Sequence, residues 1–215
     1  YDHASCSVRD IGRVGCMTEA VHIVDDEETI RDALTFLFAS RGIGARGWAS
    51  GEAFLEAQPL EDCACIILDV RMGGLSGPDV FDRLRAQGSE CPVIFLTGHA
   101  DVPVAVQALK AGAFDFIEKP FNDNQIVDQA LRAIAWHAER QRKSGARRHV
   151  ELCRASLSAR EAEVMSLMLQ GQLNKQIGDT LGIAMRTVEV HRSRVLAKMG
   201  VRNIAELASI LNDAG

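Results

Sequence analysis

The sequence predicts an α/β fold with a five-stranded, doubly wound parallel sheet, followed by a small all-α domain. In the first 140 residues, short apolar runs alternate with helical patterns, whereas beyond residue 157 the apolar residues follow helical periods alone. Charge divides the chain in the same way. Residues 17–140 carry ten Lys and Arg against twenty Asp and Glu, and residues 141–215 carry twelve against seven. An acidic part joined to a basic part indicates two functions, the second involving a polyanion.

The strands of the expected sheet end in polar residues. Four apolar runs show this: Val21–Val24 leads into Asp25-Asp26, Cys65–Leu68 into Asp69, Val93–Leu96 into Thr97-Gly98, and Phe114–Ile117 into Glu118-Lys119. A weaker strand is expected over Ile43–Trp48. Because the carboxyl ends of parallel strands meet at one edge of a sheet, these side chains are expected to form one site.

Helical periods fill the intervals between the strands. Ile30, Leu34 and Leu37 share one face of a helix that ends near Gly42, and a short helix follows a cap at Ser50. Three more helices are expected: one after the glycine-rich loop 73–77 and through Leu84, one over about 104–111, and one from near Asn122 towards Trp136. These elements assign residues 17–137 to the α/β domain.

The helical domain is expected over residues 157–215. A capping box at Ser158–Glu161 opens its first helix, which stops near Gly171. Helix 174–181, a turn at Gly182 and helix 185–199 then have the spacing of a helix-turn-helix, and a last helix follows a cap at Asn203. The polar segment 138–156 is interpreted as a linker that is helical at its start, and residues 1–16, before Met17, as a tag or upstream tail.

The cysteines and the apolar runs exclude several classes of protein. The six cysteines match neither a zinc site nor a disulfide framework, and Cys63 and Cys65 are expected to be reduced and to share one strand face. No apolar run approaches the roughly 18 to 20 residues of a membrane helix, and residues 1–16 lack a secretory pattern. A cytoplasmic protein is therefore expected.

The polar set at the sheet edge suits phosphoryl chemistry. A carboxylate takes a phosphoryl group as an acyl phosphate, and Asp69 is the candidate nucleophile. Its charge repels the incoming anion, so a divalent cation is needed, and Asp25 and Asp26 supply oxygen ligands that suit Mg²⁺. Lys119 neutralises one phosphoryl oxygen, and the Thr97 hydroxyl donates a hydrogen bond to another.

Each of these elements has a second interpretation when it is taken alone. Asp25-Asp26 caps the next helix, Asp69 is a solvated strand end, Thr97-Gly98 is a turn, and Lys119-Pro120 is a loop whose proline favours a cis peptide. The loop at 73–77 does not match a P-loop, which argues against nucleotide binding. The conjunction of the elements, in this order, is far more specific than any one of them.

Four segments carry a family resemblance: Val24-Asp25-Asp26-Glu27, Leu68-Asp69-Val70-Arg71-Met72, Leu96-Thr97-Gly98 and Phe116-Ile117-Glu118-Lys119-Pro120-Phe121. With them, residues 20–137 resemble the receiver domain of bacterial two-component response regulators, whose fold is CheY-like. The resemblance implies that Asp69 is the phosphoacceptor and that Asp25 and Asp26 form the acid pocket. Magnesium is implied to bind at this acid set through Asp26, Asp69 and the backbone carbonyl of Arg71.

The same resemblance assigns the remaining residues of the site. Thr97 and Lys119 are implied to hold the phosphoryl group, and Phe116 to be the switch aromatic that packs inward when Thr97 moves towards that group. Gly73 stands where the family usually has proline. The loop after Asp69 is therefore expected to be looser than in the family.

A second resemblance covers residues 157–211. It is carried by Leu157-Ser158-Ala159-Arg160-Glu161, Asn174-Lys175-Gln176-Ile177, Thr187-Val188-Glu189-Val190-His191-Arg192 and Lys198-Met199-Gly200-Val201, which are similar to the LuxR-type helix-turn-helix of the NarL/FixJ response regulators. The outward side of its second helix includes Thr187, and the resemblance implies base-facing positions at Glu189, Val190 and Ser193. Phosphate contacts are implied for Lys175, Arg192 and Lys198. Ala184 stands where the family usually has a capping serine or threonine, and helix 204–211 is implied to pair two DNA-bound copies.

Together the two matches predict a phosphorylation-activated transcription regulator that is not an enzyme towards other substrates. A sensor histidine kinase donates a phosphoryl group to Asp69 with Mg²⁺ bound, and the receiver dephosphorylates itself slowly. The phosphorylated receiver is expected to form a homodimer through residues 103–138, which places two reading helices on double-stranded DNA half-sites about 34 Å apart.

The residues alone leave two alternatives open. One is a magnesium-dependent aspartyl-phosphate phosphatase or transferase, which shares the nucleophile and the metal but leaves the basic helical half unexplained. The other is a DNA-binding protein whose receiver has become a dimerisation module that does not depend on phosphate. From charge alone, helix 185–199 is equally well explained as a solvated amphipathic helix.

Overall fold

A computed structural model describes residues 20–58, 62–98 and 102–213. They form two compact units that divide between Arg140 and Gln141. The first unit contains a sheet with helices on both faces, and the second is entirely helical in its described residues. Residues 1–16, interpreted as a tag or upstream tail, lie outside the described residues, so that interpretation stays a prediction.

Five parallel strands form the sheet of the first unit. They are β1 (Ala20–Val24), β2 (Gly44–Trp48), β3 (Cys63–Asp69), β4 (Val93–Thr97) and β5 (Asp115–Glu118). Their order across the sheet is β2-β1-β3-β4-β5, and every neighbouring pair is parallel. The doubly wound fold class is confirmed. The strand order reverses between β1 and β3, and ligands of such sheets bind at this switch point.

Helices cover both faces of the sheet because successive strand residues point to opposite sides. The helices of this unit are α1 (Glu28–Ser40), α2 (Gly51–Glu56), α3 (Gly77–Ala86), α4 (Val102–Lys110) and the first part, up to Arg140, of α5 (Asp123–Ala155), whose remaining residues belong to the second unit. Ile67 of β3 faces a core formed with α1 and α5, whereas Ile66 and Leu68 face a core formed with α2, α3 and α4. Both cores are closed at the carboxyl ends of the strands, where the polar residues begin.

Cys63 and Cys65 lie on opposite faces of the sheet, so the prediction of a shared face is wrong. The register of β1 against β3 shifts between Ala20 and Val21, and this irregularity places an extra residue between the two cysteines. Cys65 is buried in the core beneath α1 and α5. Cys63 packs on the other face, where its Sγ lies 2.6 Å from Sγ of Cys91. Neither Cys63 nor Cys65 forms a disulfide bond in this structure, and their reduced state stays a prediction.

Helix α5 is longer than its apolar period predicts. The expected helix runs towards Trp136, whereas the observed helix continues to Ala155. Residues 138–155 of the predicted linker are therefore helical throughout, because Glu, Gln, Arg and Lys are good helix formers even where no apolar face marks the helix. The role of this segment as a linker stays a prediction. Although α5 has 33 residues, neither it nor any other described helix combines the length and apolarity needed to cross a membrane.

The second unit has helices α6 (Ala159–Leu169), α7 (Asn174–Leu181), α8 (Met185–Lys198) and α9 (Ile204–Asp213). Ser158 and Glu161 form the predicted capping box at the start of α6. Gly178 of α7 packs against the turn, since a Cβ there would lie 2.8 Å from the carbonyl oxygen of Ile183. This close approach holds α7 and α8 in the predicted helix-turn-helix arrangement.

Candidate functional site

Lys119 joins two carboxylates that are far apart in the sequence. Its Nζ lies 3.0 Å from Oδ2 of Asp25, 94 residues away, and 2.6 Å from Oδ1 of Asp69, 50 residues away. Asp25 follows β1, Asp69 ends β3 and Lys119 follows β5, so the three side chains meet at the carboxyl edge of the sheet. The parallel topology brings together residues that the sequence predicted as one site.

Asp26 completes an acidic cluster with Asp25 and Asp69. One oxygen from each carboxylate lies within 4.8 Å of the others. Asp25 and Asp69 are buried, at 1% and 6% exposure, whereas Asp26 is open to solvent. A set of carboxylate oxygens that is reachable from one side suits a hard divalent cation such as Mg²⁺, which retains several waters. The donor set therefore fits the cation that the sequence predicts.

Backbone N–H groups orient the three carboxylates. One oxygen of each accepts such a bond: Asp25 from Glu27 at 2.9 Å, Asp69 from Arg71 at 3.0 Å, and Asp26 from Gly73 at 2.8 Å. These donors lie on the loops that follow β1 and β3. The loops thus determine the directions in which the acidic side chains point before any ligand binds. The predicted role of the Arg71 carbonyl in metal binding stays a prediction.

Burial and charge act against each other at Asp69. Burial raises the pKa of Asp69 above its ordinary value, the hydrogen bond and charge of Lys119 oppose that shift, and the charge of Asp25 adds to it. Burial alone would lower the pKa of Lys119, but its bonds to Asp69 and Asp25 outweigh burial and raise it. Lys119 therefore stays cationic, and a second positive charge near Asp69 would relieve the remaining repulsion.

Thr97 and Phe116 lie on β4 and β5, the pair of strands at the Lys119 end of the sheet. Thr97 ends β4 with its side chain fully buried, and its Oγ1 donates to the carbonyl oxygen of Gly98 at 3.1 Å. The Thr97 carbonyl accepts the N–H of Lys119 at 2.8 Å, which connects the two strand ends. Phe116 is half-buried in β5, opposite Phe95 of β4. The peptide between Lys119 and Pro120 is cis, as the sequence favoured.

Helix α8 presents most of the predicted DNA-facing residues to solvent. Thr187, Glu189, Val190 and Ser193 are exposed, as is Lys175 at the start of α7. The opposite face of α8 is buried through Val188 and Val195. The N-cap Ala184 makes no side-chain hydrogen bond, as its methyl side chain requires. Arg192 is half-buried on the same helix.

Lys198 differs from the other predicted phosphate-binding residues because its ammonium is bonded to other groups of the same domain. Its Nζ lies 2.7 Å from Oε2 of Glu161 and 2.9 Å from the carbonyl oxygen of Ser156. Glu161 is buried, and this bond, with the Ser158 N–H, lowers its pKa to about 2. A phosphate contact by Lys198 stays a prediction, and it would compete with this pairing.

Two family comparisons match the two domains of the chain. The family described as response regulator receiver domain matches residues 21–131, and that described as bacterial regulatory proteins, luxR family, matches residues 155–211. The chain belongs to the NarL/FixJ family of response regulators. It is a transcriptional regulator built from a receiver domain and a LuxR-type DNA-binding domain.

Curated relatives of this response regulator match over nearly their whole lengths. The C4-dicarboxylate transport transcriptional regulatory protein DctR of Rhodobacter capsulatus is 69% identical over 194 residues, which are 89% of this chain and 98% of the relative. The transcriptional regulatory protein FixJ of Azorhizobium caulinodans is 42% identical over 195 residues, or 91% of this chain and 92% of the relative. Both domains therefore occur together, in this order, in the relatives.

Solved structures of response regulators have the same fold. Response regulator StyR matches with a TM-score of 0.83 at 36% identity, covering 90% of this chain and 98% of that one. Full-length FixJ from B. japonicum matches with a TM-score of 0.59 at 38% identity, covering 92% and 97%. The CheY-like receiver followed by a helical domain is thus shared with known members of the family.

Two contacts of the response regulator were not expected from its sequence. The guanidinium of Arg31, in α1, donates to the backbone carbonyl of Asp25 at 2.8 Å and so holds the loop after β1. The Gly73 N–H bonds Asp26 in the loop that was expected to be looser than usual. Neither contact has a sequence signal, because each depends on the path of a loop rather than on a periodic pattern.

Proposed function

We propose that this response regulator accepts a phosphoryl group on Asp69 from a sensor histidine kinase, with Mg²⁺ held by Asp25, Asp26, Asp69 and the carbonyl of Arg71. The observation that supports this most directly is the ammonium of Lys119 between Asp25 and Asp69. A buried carboxylate beside a fixed cation and an acidic cluster has what phosphoryl transfer to an aspartate requires.

The proposed mechanism depends on positioned charge. Mg²⁺ held by the acidic cluster would supply positive charge that offsets the charge of these carboxylates and of the incoming phosphoryl group. As Oδ1 of Asp69 forms a bond to phosphorus, the P–N bond to the kinase histidine breaks and the imidazole leaves, and Lys119 shifts from Oδ1 to a phosphoryl oxygen. The Thr97 hydroxyl leaves the Gly98 carbonyl and donates to another phosphoryl oxygen. Phe116 then packs inward, which biases the receiver towards a dimerising state.

Dimerisation couples the receiver to DNA. The phosphorylated receivers pair through residues 103–138, and two copies of α8 then reach half-sites on double-stranded DNA. Glu189, Val190 and Ser193 face the bases, and Thr187, Lys175, Arg192 and Lys198 complete the contact surface. Joining two weak contacts raises affinity through effective concentration. The protein acts in the cytoplasm, where the kinase domain and the DNA are both accessible.

One relative supports a proposal about the regulated genes. The DctR protein of Rhodobacter capsulatus, named as a regulator of C4-dicarboxylate transport, shares 69% identity with the chain across both domains. We therefore propose that this protein controls genes for the uptake of C4-dicarboxylates. Binding of the phosphorylated protein upstream of a dicarboxylate transporter gene, measured by footprinting, tests this assignment. Protection of unrelated promoters, with none at the transporter gene, would refute it.

Phosphorylation of the purified full-length protein tests the central proposal. With acetyl phosphate and Mg²⁺, the wild type is expected to gain one phosphoryl group and to dimerise in sedimentation, with tighter DNA binding. Asp69→Ala should show none of these changes. Equal DNA affinity of wild type and Asp69→Ala, with and without acetyl phosphate, would mean that the receiver acts without phosphorylation.

A further inference from the structure

Asp26 is held differently from the other two carboxylates of the acidic cluster. Asp25 and Asp69 are buried, and both contact the ammonium of Lys119. Asp26 is exposed, and its Oδ2 accepts a bond from the Gly73 N–H at 2.8 Å. Within the described residues, this is the one hydrogen bond that its carboxylate accepts. The direction of Asp26 therefore depends on the backbone of a loop 47 residues away in the sequence.

The loop that carries Gly73 is itself fixed on its far side. The N–H of Leu75 donates to Oε1 of Glu52, in α2, at 2.9 Å. The N–H of Gly77 donates to the carbonyl oxygen of Val70 at 3.1 Å, and Ser76 caps α3. A Cβ at Gly77 would collide with the carbonyl oxygen of Asp69, so the chain passes close to the strand end there. These contacts hold the Gly73 N–H in place beside the acidic cluster.

We propose that the Gly73 N–H positions Asp26 for the divalent cation, which makes Gly73 a positioning residue of the phosphorylation site. The bond fixes the direction of a carboxylate that contributes one oxygen to the cluster. An exposed aspartate otherwise loses rotamer freedom when a cation binds, and a partner that orients it in advance reduces that cost. This inference rests on the proposed function, because it assumes that the cluster binds a cation.

Gly73 offers a matched pair of substitutions. Proline has no N–H and removes the donor, whereas alanine keeps it. A Cβ at Gly73 would lie 3.7 Å from Oδ2 of Asp26, an ordinary contact, and Gly73 is not among the described glycines with positive φ. Alanine therefore fits this position, and the two variants differ chiefly in the hydrogen bond to Asp26.

The first experiment measures cation affinity of the full-length protein without any phosphoryl donor. Mn²⁺ serves as the probe, and free Mn²⁺ is counted by electron paramagnetic resonance. Gly73→Pro is expected to weaken binding about tenfold, at the lower end of the range for loss of a partner that orients a metal ligand. Gly73→Ala should stay within about twofold of the wild type. Equal affinity for the two variants would overturn the inference.

A second experiment does not depend on the proline variant. Amide hydrogen exchange of Gly73 is followed by NMR in the wild type and in Asp26→Ala. The Gly73 amide should be protected in the wild type, with and without Mg²⁺, and should exchange faster when Asp26 is removed. An amide that loses its protection on addition of Mg²⁺ would overturn the inference and leave the proposed function intact. Failure of the wild type to bind Mn²⁺ at all would overturn both.

Discussion

The acidic cluster and the outer face of α8 are built in opposite ways. Together with Lys119, the cluster gathers side chains from three strand ends, and Lys119 contacts its two buried carboxylates. The outer face of α8 comes from one continuous segment, and its predicted base-facing residues are exposed to solvent. In the cluster, each group therefore sets the charge and direction of its neighbours. On the helix, each of the predicted base-facing side chains Glu189, Val190 and Ser193 is available to a separate contact.

This difference concerns energy as well as geometry. Groups that share partners in a low-dielectric site act as a unit, and the loss of one changes what the others contribute. Exposed side chains that meet separate phosphates or bases contribute almost independently. Substitutions in the cluster should therefore have large, coupled effects, whereas those on α8 should be smaller and close to additive.

The largest effect is expected for Lys119→Gln. This change removes the cation that contacts both Asp25 and Asp69, and phosphorylation by acetyl phosphate should slow by about 100-fold or more, the scale for loss of one positioned electrostatic partner. The rate is read from the mass of the intact protein over time. Lys110→Gln, which alters an exposed lysine at the end of α4, is the control and should leave the rate unchanged. A similar loss of phosphorylation rate in both variants would mean that the effect is not specific to the Lys119 ammonium.

An ion pair with a buried carboxylate, inside the DNA-binding domain, tests whether burial, rather than the identity of the region, determines the size of an effect. Glu161 is buried and bonds Lys198, so Glu161→Gln should reduce the free energy of unfolding of this domain by about 1–2 kcal/mol at pH 7. Both tryptophans, Trp48 and Trp136, lie in the receiver. Far-ultraviolet circular dichroism should therefore report the loss, whereas tryptophan fluorescence should not.

The pair of Glu161 and Lys198 makes the unfolding free energy of the DNA-binding domain depend on pH. The pKa of Glu161 is lowered from 4.5 to about 2, chiefly by Lys198, so its stabilisation is complete above pH 4.5 and is lost as the pH falls towards 2. The difference in unfolding free energy between wild type and Glu161→Gln should shrink over that window. A difference that stays constant from pH 6 to pH 3 would show that the charge of Glu161 is not what stabilises the domain.

Double substitutions compare the two regions directly. Asp25→Asn combined with Lys119→Gln should slow phosphorylation by less than the product of the single effects, with a coupling of about 1 kcal/mol, because the two groups share a contact. Lys175→Ala combined with Glu189→Ala should weaken operator binding by close to the product of the single effects. Additive behaviour in the cluster would contradict the view that its residues act as a unit.

The smallest effect is expected for Lys175→Ala alone. Loss of one phosphate contact should weaken binding to operator and unrelated DNA alike, and it should reduce the slope of log affinity against log salt by about one. Glu189→Ala is the comparison, because loss of a base contact should relax specificity at one position and leave the salt slope unchanged. Titrating operator and unrelated DNA with each variant at several salt concentrations distinguishes the phosphate contact from the base contact. A change of specificity in Lys175→Ala would mean that Lys175 reads bases.

The sequence predicted the strands and their polar ends because both leave periodic and positional signals. Asp25, Asp69 and Lys119 each follow a short apolar run, and parallel topology then requires that they meet. The helix-turn-helix was equally visible, since Gly182 and the buried Val188 and Val195 mark the turn and the inner face of α8. The sequence pattern was therefore sufficient to predict the structure wherever the residues of one segment determine that structure.

The sequence failed to predict structure where contacts between distant segments, or the path of a loop, determine it. The pairing of Lys198 with Glu161 joins residues 37 positions apart, and nothing in either segment indicates it. Cys63 and Cys65 were assigned to one strand face because the register shift beside Ala20 depends on the neighbouring strand. The length of α5 was underestimated because a charged helix without an apolar face lacks the period that reveals other helices.

The two ends of α8 are held differently within the DNA-binding domain. At its carboxyl end, Lys198 is bonded to Glu161 and Ser156 and so is clamped to the body of the domain. At its amino end, Ala184 lacks the side-chain bond that a serine or threonine would make, a difference of roughly 1 kcal/mol. We therefore expect the first turn of α8, up to Thr187, to fray more readily in solution than its last turn, which Lys198 ties to α6.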